Sequence, residues 1–375
     1  MRVAILESII MPAGHEVEFD RLIINELKRQ GHEPVLMVPE GFTFKVAYGV
    51  EVLYLAGGPV VTYAGASRWK KPFLSILREK RRRGWFNSAA RLIKEHRCDA
   101  IIIPTATYRY VKALLDTELK HAQVPVHLIF HGIGKGENER FIKQAERAHQ
   151  YDNIYLDVIT LRDDMLRSDL PRVRAVAPPV FTPSTGETPT FSTHKPLRIG
   201  FFGQFRKEKN IIPLLEAFKM ATFTGPVKLL VQGATAKLED GELFENIAKE
   251  YNDVDTIEFL HANLIGSDWD RALLSVDAIL MPYGAERYRY HWSAMLYTAI
   301  GFYKPSLMSP EINPEVLAHY RIGESLDISS VDTIRKGLET FVNQMIEHPE
   351  VYEEGLKKAN EDYSHRQLIT SILKS

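Results

Sequence analysis

Short apolar runs alternate along this chain with longer stretches whose apolar residues recur every three or four positions. Runs at 3–6, 35–38, 52–55, 100–103 and 126–130 have the length and the Val/Ile/Leu content of buried strands. Between them, 17–29, 88–96, 108–119 and 138–149 carry helical spacing. Beyond residue 196 the alternation resumes, with strands predicted over 197–202, 227–231, 257–260, 278–281 and 305–308. The matching helices are predicted over 211–221, 242–251, 269–275, 294–301 and 314–319. Three final helical patterns, 331–348, 351–363 and 366–373, have no strand between them. Such alternation predicts an α/β protein built on parallel, doubly wound sheets. It is interrupted where Pro178, Pro179, Pro183, Pro189 and Pro196 occur among Ser, Thr and Gly, which is linker chemistry. The predicted organisation is a first domain over 1–180, a Pro-rich linker over 181–196, a second domain over 197–355, and a terminal helix within 356–375 that crosses back to the first domain.

Composition narrows the partners. At 375 residues the chain suits two domains, and 45% hydrophobic content supports real cores. The net charge of −1 gives no global pull toward nucleic acid, so none is expected as a partner. The single cysteine, Cys98, excludes an internal disulfide framework and a thiolate metal cluster. The chain opens directly on a strand pattern without the charged-then-apolar signature of a signal peptide, and no run approaches the ~20 apolar residues that span a bilayer. The expected location is cytoplasmic, with contact at the inner face of the membrane through one segment. That segment, 69–86, mixes Trp69, Trp85 and Phe86 with clustered Lys and Arg, and Phe73, Leu74, Ile76 and Leu77 can share a helical face. A basic amphipathic helix of this kind suits an anionic membrane surface. The alternative is a core-facing helix whose polar side happens to be basic.

In parallel sheets ligands sit beyond the carboxyl ends of the strands, and those loops hold the candidate chemistry. The stretch Gly200-Phe201-Phe202-Gly203-Gln204-Phe205-Arg206-Lys207-Glu208-Lys209-Asn210 leads a strand into a helix through a loop of glycines and cations. With the partial positive charge and unpaired amides of a helix start, it makes a site for a phosphate-rich ligand; the alternative is a solvated charged loop. Gln232, Asn263 and Leu264 follow the next two strands of the second domain. The loop from Pro282 to Ser293 includes Glu286 and Tyr290, and Ser293 is a candidate N-cap, which aims the amides of Ser293, Ala294 and Met295 at an anion. In the first domain, Gly14 and His15 precede the first helix without forming a GxGxxG dinucleotide fingerprint, which argues against a nicotinamide cofactor. Thr105, Thr107 and Arg109 suit a polar substrate, and His131 stands at a strand exit ahead of three glycines.

The residues Gly200 to Asn210 resemble the FGxxRxxKN form of the large family of retaining, metal-independent nucleotide-sugar glycosyltransferases, family 4 in the usual classification. Asp277-Ala278 through Pro282-Tyr283, then Ser293 to Leu296 and Gly301 to Leu307, look like that family's second block, ADxxxxPY…SxxLxxAxxxGxPV. The resemblance implies the GT-B fold: two Rossmann-like domains facing each other across a cleft. It implies a hexosyltransferase-type activity (EC 2.4) in cell-surface polysaccharide or glycolipid synthesis, with a nucleotide diphosphate sugar as donor, a saccharide or lipid-linked acceptor, no cofactor and no metal. Arg206 and Lys209 match the Arg and Lys that grip the donor diphosphate, and Ser293 and Ala294 the helix start that caps it. Gly203, Gln232, Asn263 and Leu264 fall in the donor loops. Gly14 and His15 match the loop facing the donor, and His131 the histidine that approaches the transferred sugar. Arg206, Lys209 and His131 are thus the expected catalytic residues, and Thr105, Thr107 and Arg109 the acceptor-side ones. One departure is clear: where most members carry two glutamates separated by seven residues, this chain has Tyr290 and Thr298, with Glu286 in another register. Two other functions remain open, a nucleotide-sugar epimerase and a non-catalytic relative that binds a nucleotide or saccharide.

Overall fold

The structure, a computed structural model, describes residues 1–8, 15–42, 48–63, 65–167, 169–186, 189–206, 209–235 and 238–374. The chain divides into two compact units, Met1–Pro178 with His365–Ser375, and Pro179–Ser364.

The first unit runs β1 (Arg2–Leu6), α1 (His15–Arg29), β2 (Glu33–Pro39), β3 (Glu51–Leu55), α2 (Lys71–Lys94), β4 (Ala100–Ile103), α3 (Tyr108–Leu115), β5 (Val126–Phe130), α4 (Lys135–Ala148), β6 (Ile154–Ile159) and β7 (Val173–Val176). The seven strands form one parallel sheet in the order β3-β2-β1-β4-β5-β6-β7. Every residue of β4 and β5 is buried, as a parallel sheet covered on both faces requires. α2 begins earlier than its apolar spacing predicts and absorbs the basic segment into its first half. The helix expected over 108–119 ends at Leu115 and gives way to a short 3-10 turn at Glu118–His121. The expected strands omit β6 and β7, because polar residues break their apolar pattern.

Those polar residues have a structural purpose. Asp157 of β6 is fully buried and accepts from His127 Nδ1 of β5 at 3.1 Å and from Arg174 Nε of β7 at 2.8 Å. The same guanidinium reaches the end of the last helix, α12 (His365–Leu373), donating to the carbonyls of Ile372 (2.9 Å) and Lys374 (2.8 Å). Helices leave their final carbonyls without internal partners, so a fixed arginine there satisfies two of them.

The second unit runs β8 (Leu197–Phe201), α5 (Ile211–Met220), β9 (Val227–Gly233), α6 (Leu238–Glu250), β10 (Ile257–His261), α7 (Ser267–Leu274), β11 (Ala278–Met281), α8 (Ala294–Gly301), β12 (Ser306–Met308), α9 (Pro314–His319), β13 (Gly323–Ser325), α10 (Val331–Glu347) and α11 (Glu353–Asp362). Its parallel sheet has the order β10-β9-β8-β11-β12-β13. The Pro-rich stretch is pinned to this unit rather than spanning space. Val180 N donates to Tyr363 O, Phe181 N to Tyr297 O, and Ser184 N to Asp270 Oδ2. Asp277 accepts from the amides of His194 (2.9 Å) and Arg198 (2.7 Å). Phe181 passes so close to the end of α8 that a Cβ on Gly301 would stand 1.9 Å from its carbonyl oxygen, so only glycine fits there.

Arg174→Ala strips Asp157 of its fixed cation and leaves two helix-end carbonyls without a donor. The expected cost is about 3 kcal/mol, the low end for breaking a buried pair. It is read as a lower urea midpoint together with faster amide exchange across residues 365–374.

Candidate functional site

In both sheets the strand order reverses once, between β1 and β4 in the first and between β8 and β11 in the second. Loops leaving neighbouring strands on opposite sides of such a reversal open a crevice at the carboxyl edge, the usual ligand position of the fold class.

In the second unit the loops meeting at this point are those of the sequence motif. The β8–β9 ladder continues past the strands: Phe205 N donates to Ala234 O and Ala234 N to Gly203 O. Gly203 has φ +112°, and a Cβ there would lie 3.2 Å from Lys209 Nζ, so glycine admits both the backbone path and the lysine. Lys209 places its ammonium 4.7 Å from the centre of the Tyr283 ring and 5.7 Å from that of Phe201. Asn210, in the left-handed conformation at the start of α5, donates from Nδ2 to Pro282 O at 2.9 Å, joining the β8 loop to the β11 loop. Arg206 is half-buried and donates to Gln204 Oε1 at 2.6 Å. Lys207 lies outside the described residues.

The helix start sits beside them. Ser293 caps α8, its hydroxyl accepting from Leu296 N. Its own amide does not face a ligand, since it donates to Asn313 Oδ1 at 2.9 Å. That corrects the expectation of three outward amides and leaves those of Ala294 and Met295 at the helix end. Burial pushes the Tyr283 hydroxyl well up, with the Tyr288 hydroxyl adding to this and a hydrogen bond from Ser293 opposing it. Tyr283 therefore stays neutral and bridges the lysine to the helix cap.

Gln232 has another role than a donor contact. It is fully buried, its Oε1 accepts from Gly203 N (2.9 Å), and its Nε2 donates to Ala262 O (2.6 Å). It braces three strand exits against one another. Asn263 is exposed and Leu264 half-buried just beyond that brace. Glu286 is exposed on a 3-10 turn, Glu286–Arg289, and Tyr290 is half-buried after it. Thr298 donates its hydroxyl to Ala294 O of its own helix (2.8 Å), so it offers no substitute for a carboxylate.

In the first unit, Gly14 and the side chain of His15 lie outside the described residues. His131 donates from Nε2 to Pro104 O (2.8 Å) and packs edge-on against Phe19 (4.8 Å), which fixes the ring between the exits of β4 and β5. Thr107 is exposed at the start of α3. Arg109 stacks on Tyr108, and Arg109 and Arg140 both donate to the Tyr108 hydroxyl at 3.2 Å, lowering its pKa. Tyr108 and Arg140 carry no motif signal in the sequence.

Two carboxyl groups at the exit of β1 also escape sequence reading. Glu7 follows the last strand residue and Asp20 projects from α1; both are buried, and Glu7 Oε2 and both Asp20 oxygens have no hydrogen-bond partner among the described residues. Burial pushes Glu7 from an ordinary carboxyl value to about 7, with the Ser8 amide opposing and Glu16 adding. Asp20 is held well above its usual range by burial, then by Glu7 and Glu16. Thr105 adjoins Glu7, and Ser8 Oγ lies 3.0 Å from Tyr110 OH.

A carboxyl whose folded pKa is raised keeps its proton in the native state while the unfolded chain has lost it. Native stability is therefore greatest below the unfolded value near 4.5 and falls as pH rises toward 7. Glu7→Gln removes this charge at constant shape. It is expected to raise stability at pH 8 by up to about 3 kcal/mol and to change little at pH 4. Thermal melts across that range should show a shallower pH slope in the variant, the residue of the slope coming from Asp20.

No family profile matches the sequence, and no curated protein does. Solved structures do. HepE of Anabaena in complex with UDP and glucose is similar at TM-score 0.61 and 13% identity, over 99% of this chain and 97% of that one. The lipopolysaccharide outer core galactosyltransferase WaaB, in its apo form, is similar at TM-score 0.64 and 14% identity, over 99% and 97%. A glycosyltransferase of Rickettsia africae is similar at TM-score 0.65 and 12% identity, over 100% and 97%. Across its whole length, this chain has the two-sheet GT-B fold of glycosyltransferases.

Proposed function

We propose that the chain transfers a sugar from a nucleotide diphosphate sugar to a saccharide or lipid-linked acceptor, with retention at the anomeric carbon and without a metal. The second unit holds the donor and the first the acceptor, with Thr105, Thr107 and Arg109 on the acceptor side. One observation carries this reading: Lys209 and Asn210 of the β8 loop and Ser293 at the start of α8 meet at Pro282 and Tyr283, at the strand-order reversal. HepE, a structural neighbour, has been crystallised with UDP-glucose, which supports the donor class.

The bond between the anomeric carbon and the β-phosphate oxygen breaks, and negative charge grows on that oxygen. The Lys209 ammonium, the Arg206 guanidinium and the amides of Ala294 and Met295 stabilise it as fixed charges and dipoles. The acceptor's hydroxyl oxygen bonds to the anomeric carbon on the face that the phosphate leaves and gives its proton to the departing phosphate, so the reading calls for no carboxylate base. Retention, the hexosyl class and a role in surface polysaccharide or glycolipid synthesis follow the sequence resemblance. A second reading, a nucleotide-binding relative without turnover, is favoured by the non-carboxylate side chains at Tyr290 and Thr298.

Arg206→Ala and Lys209→Ala should each lower kcat on a nucleotide sugar by about a hundredfold or more, since removing one preorganised donor costs roughly 2.7–4 kcal/mol. Circular dichroism should remain that of the folded protein. Near-normal turnover in both variants would falsify the mechanism. Nucleoside diphosphates that bind the folded state should raise its melting temperature; a strong shift with no turnover on any donor and acceptor pair selects the second reading.

A further inference from the structure

The first half of α2 stands away from the core of its unit. From Lys71 to Lys80 no residue is buried, whereas seven residues between Arg82 and Ile93 are. The exposed turns are not polar. Phe73 is 75% exposed, Ile76 70% and Leu77 37%, and Trp69, just ahead of the helix, is 86% exposed. Phe73, Ile76 and Leu77 are spaced i, i+3, i+4 and share one face. This rules out the core-facing alternative for that half of the segment.

The charges around this face have one sign. Residues 68–83 hold eight Lys or Arg against a single acid, Glu79. Glu79 is already engaged by Arg82 at 2.7 Å, and Arg83 pairs with Asp116 at 2.8 Å. Exposed Lys70 lies three residues before Phe73 and exposed Lys80 seven after it, so cations bracket the apolar stripe at both ends on its own face. Long lysine stems let the ammonium reach outward while the apolar residues go deeper.

We infer that the exposed half of α2, with Trp69, is a docking surface for an anionic lipid bilayer, lying in the interface with Trp69, Phe73, Ile76 and Leu77 inserted and the lysines on the headgroups. A protein partner would need a matching apolar pocket ringed by acids, whereas an anionic leaflet supplies apolar depth and negative charge on any flat patch. Arg82 ties this element to the first unit's strand exits: its guanidinium lies 4.2 Å over the Tyr110 ring, and Tyr110 meets Ser8 at the end of β1. The inference goes beyond the transferase reading and does not need it.

The test is flotation of the full chain with vesicles of phosphatidylcholine, with or without phosphatidylglycerol. The wild type should bind the phosphatidylglycerol vesicles at least about tenfold more tightly, and salt should weaken the binding. Phe73→Glu with Ile76→Glu, and separately Lys70→Glu, Lys71→Glu and Lys80→Glu together, should each reduce that binding about tenfold or more with the melting temperature unchanged. Equal binding to both vesicle types, or either variant floating like the wild type, overturns the inference. So does a solution dimer that the Phe73→Glu, Ile76→Glu variant abolishes, which would assign the face to a second copy of the chain. Loss of vesicle binding with nucleotide-dependent thermal shifts intact separates failure here from failure of the transferase reading.

Discussion

A parallel sheet covered on both faces admits polar side chains mainly at its ends, and a single reversal of strand order decides where at that end two loops part. In the second unit the loops after β8 and β11 turn to opposite sides and leave a gap between them. Asn210 closes it from below by donating to Pro282 O, and Lys209 reaches over Tyr283 beside it. Burial of Gln232 then fixes the heights of three neighbouring strand exits through two hydrogen bonds. The placement of a cation next to a helix start follows from this backbone arithmetic, and would fail if the order did not reverse there.

Most strands could be seen in the sequence because apolar runs report burial on two faces directly. The three that could not are informative. Asp157 and Arg174 interrupt β6 and β7 because these strands also anchor α12, a contact nearly two hundred residues away in the chain that no local pattern encodes. β13, Gly323–Ser325, is too short and polar to signal at all. The same limit applies at the site. Arg206, Lys209 and Ser293 announce themselves by charge or capping chemistry, but the partner that removes the Ser293 amide, Asn313, lies twenty residues further on. Glu7 reads as an ordinary loop acid until its burial beside Asp20 is known.

Two blocks carry the sequence resemblance, and they differ in physical content. Within the second, Asp277 accepts the amides of His194 and Arg198, Gly301 clears the Phe181 carbonyl, and Lys304 is buried near Asp277, with burial lowering its pKa and the aspartate opposing that. Thr298 bonds its own helix. These residues satisfy demands of folding, and any chain threading 179–198 past α8 and β11 would feel them. The first block is different. Arg206 and Lys209 are only half-buried and lie on the loop rather than in the apolar core of the unit. Cationic side chains on a loop beside a helix start suit an anionic ligand. The functional reading therefore rests on the loop from Gly203 to Asn210, while the longer second block mainly reports the architecture that holds this loop in place.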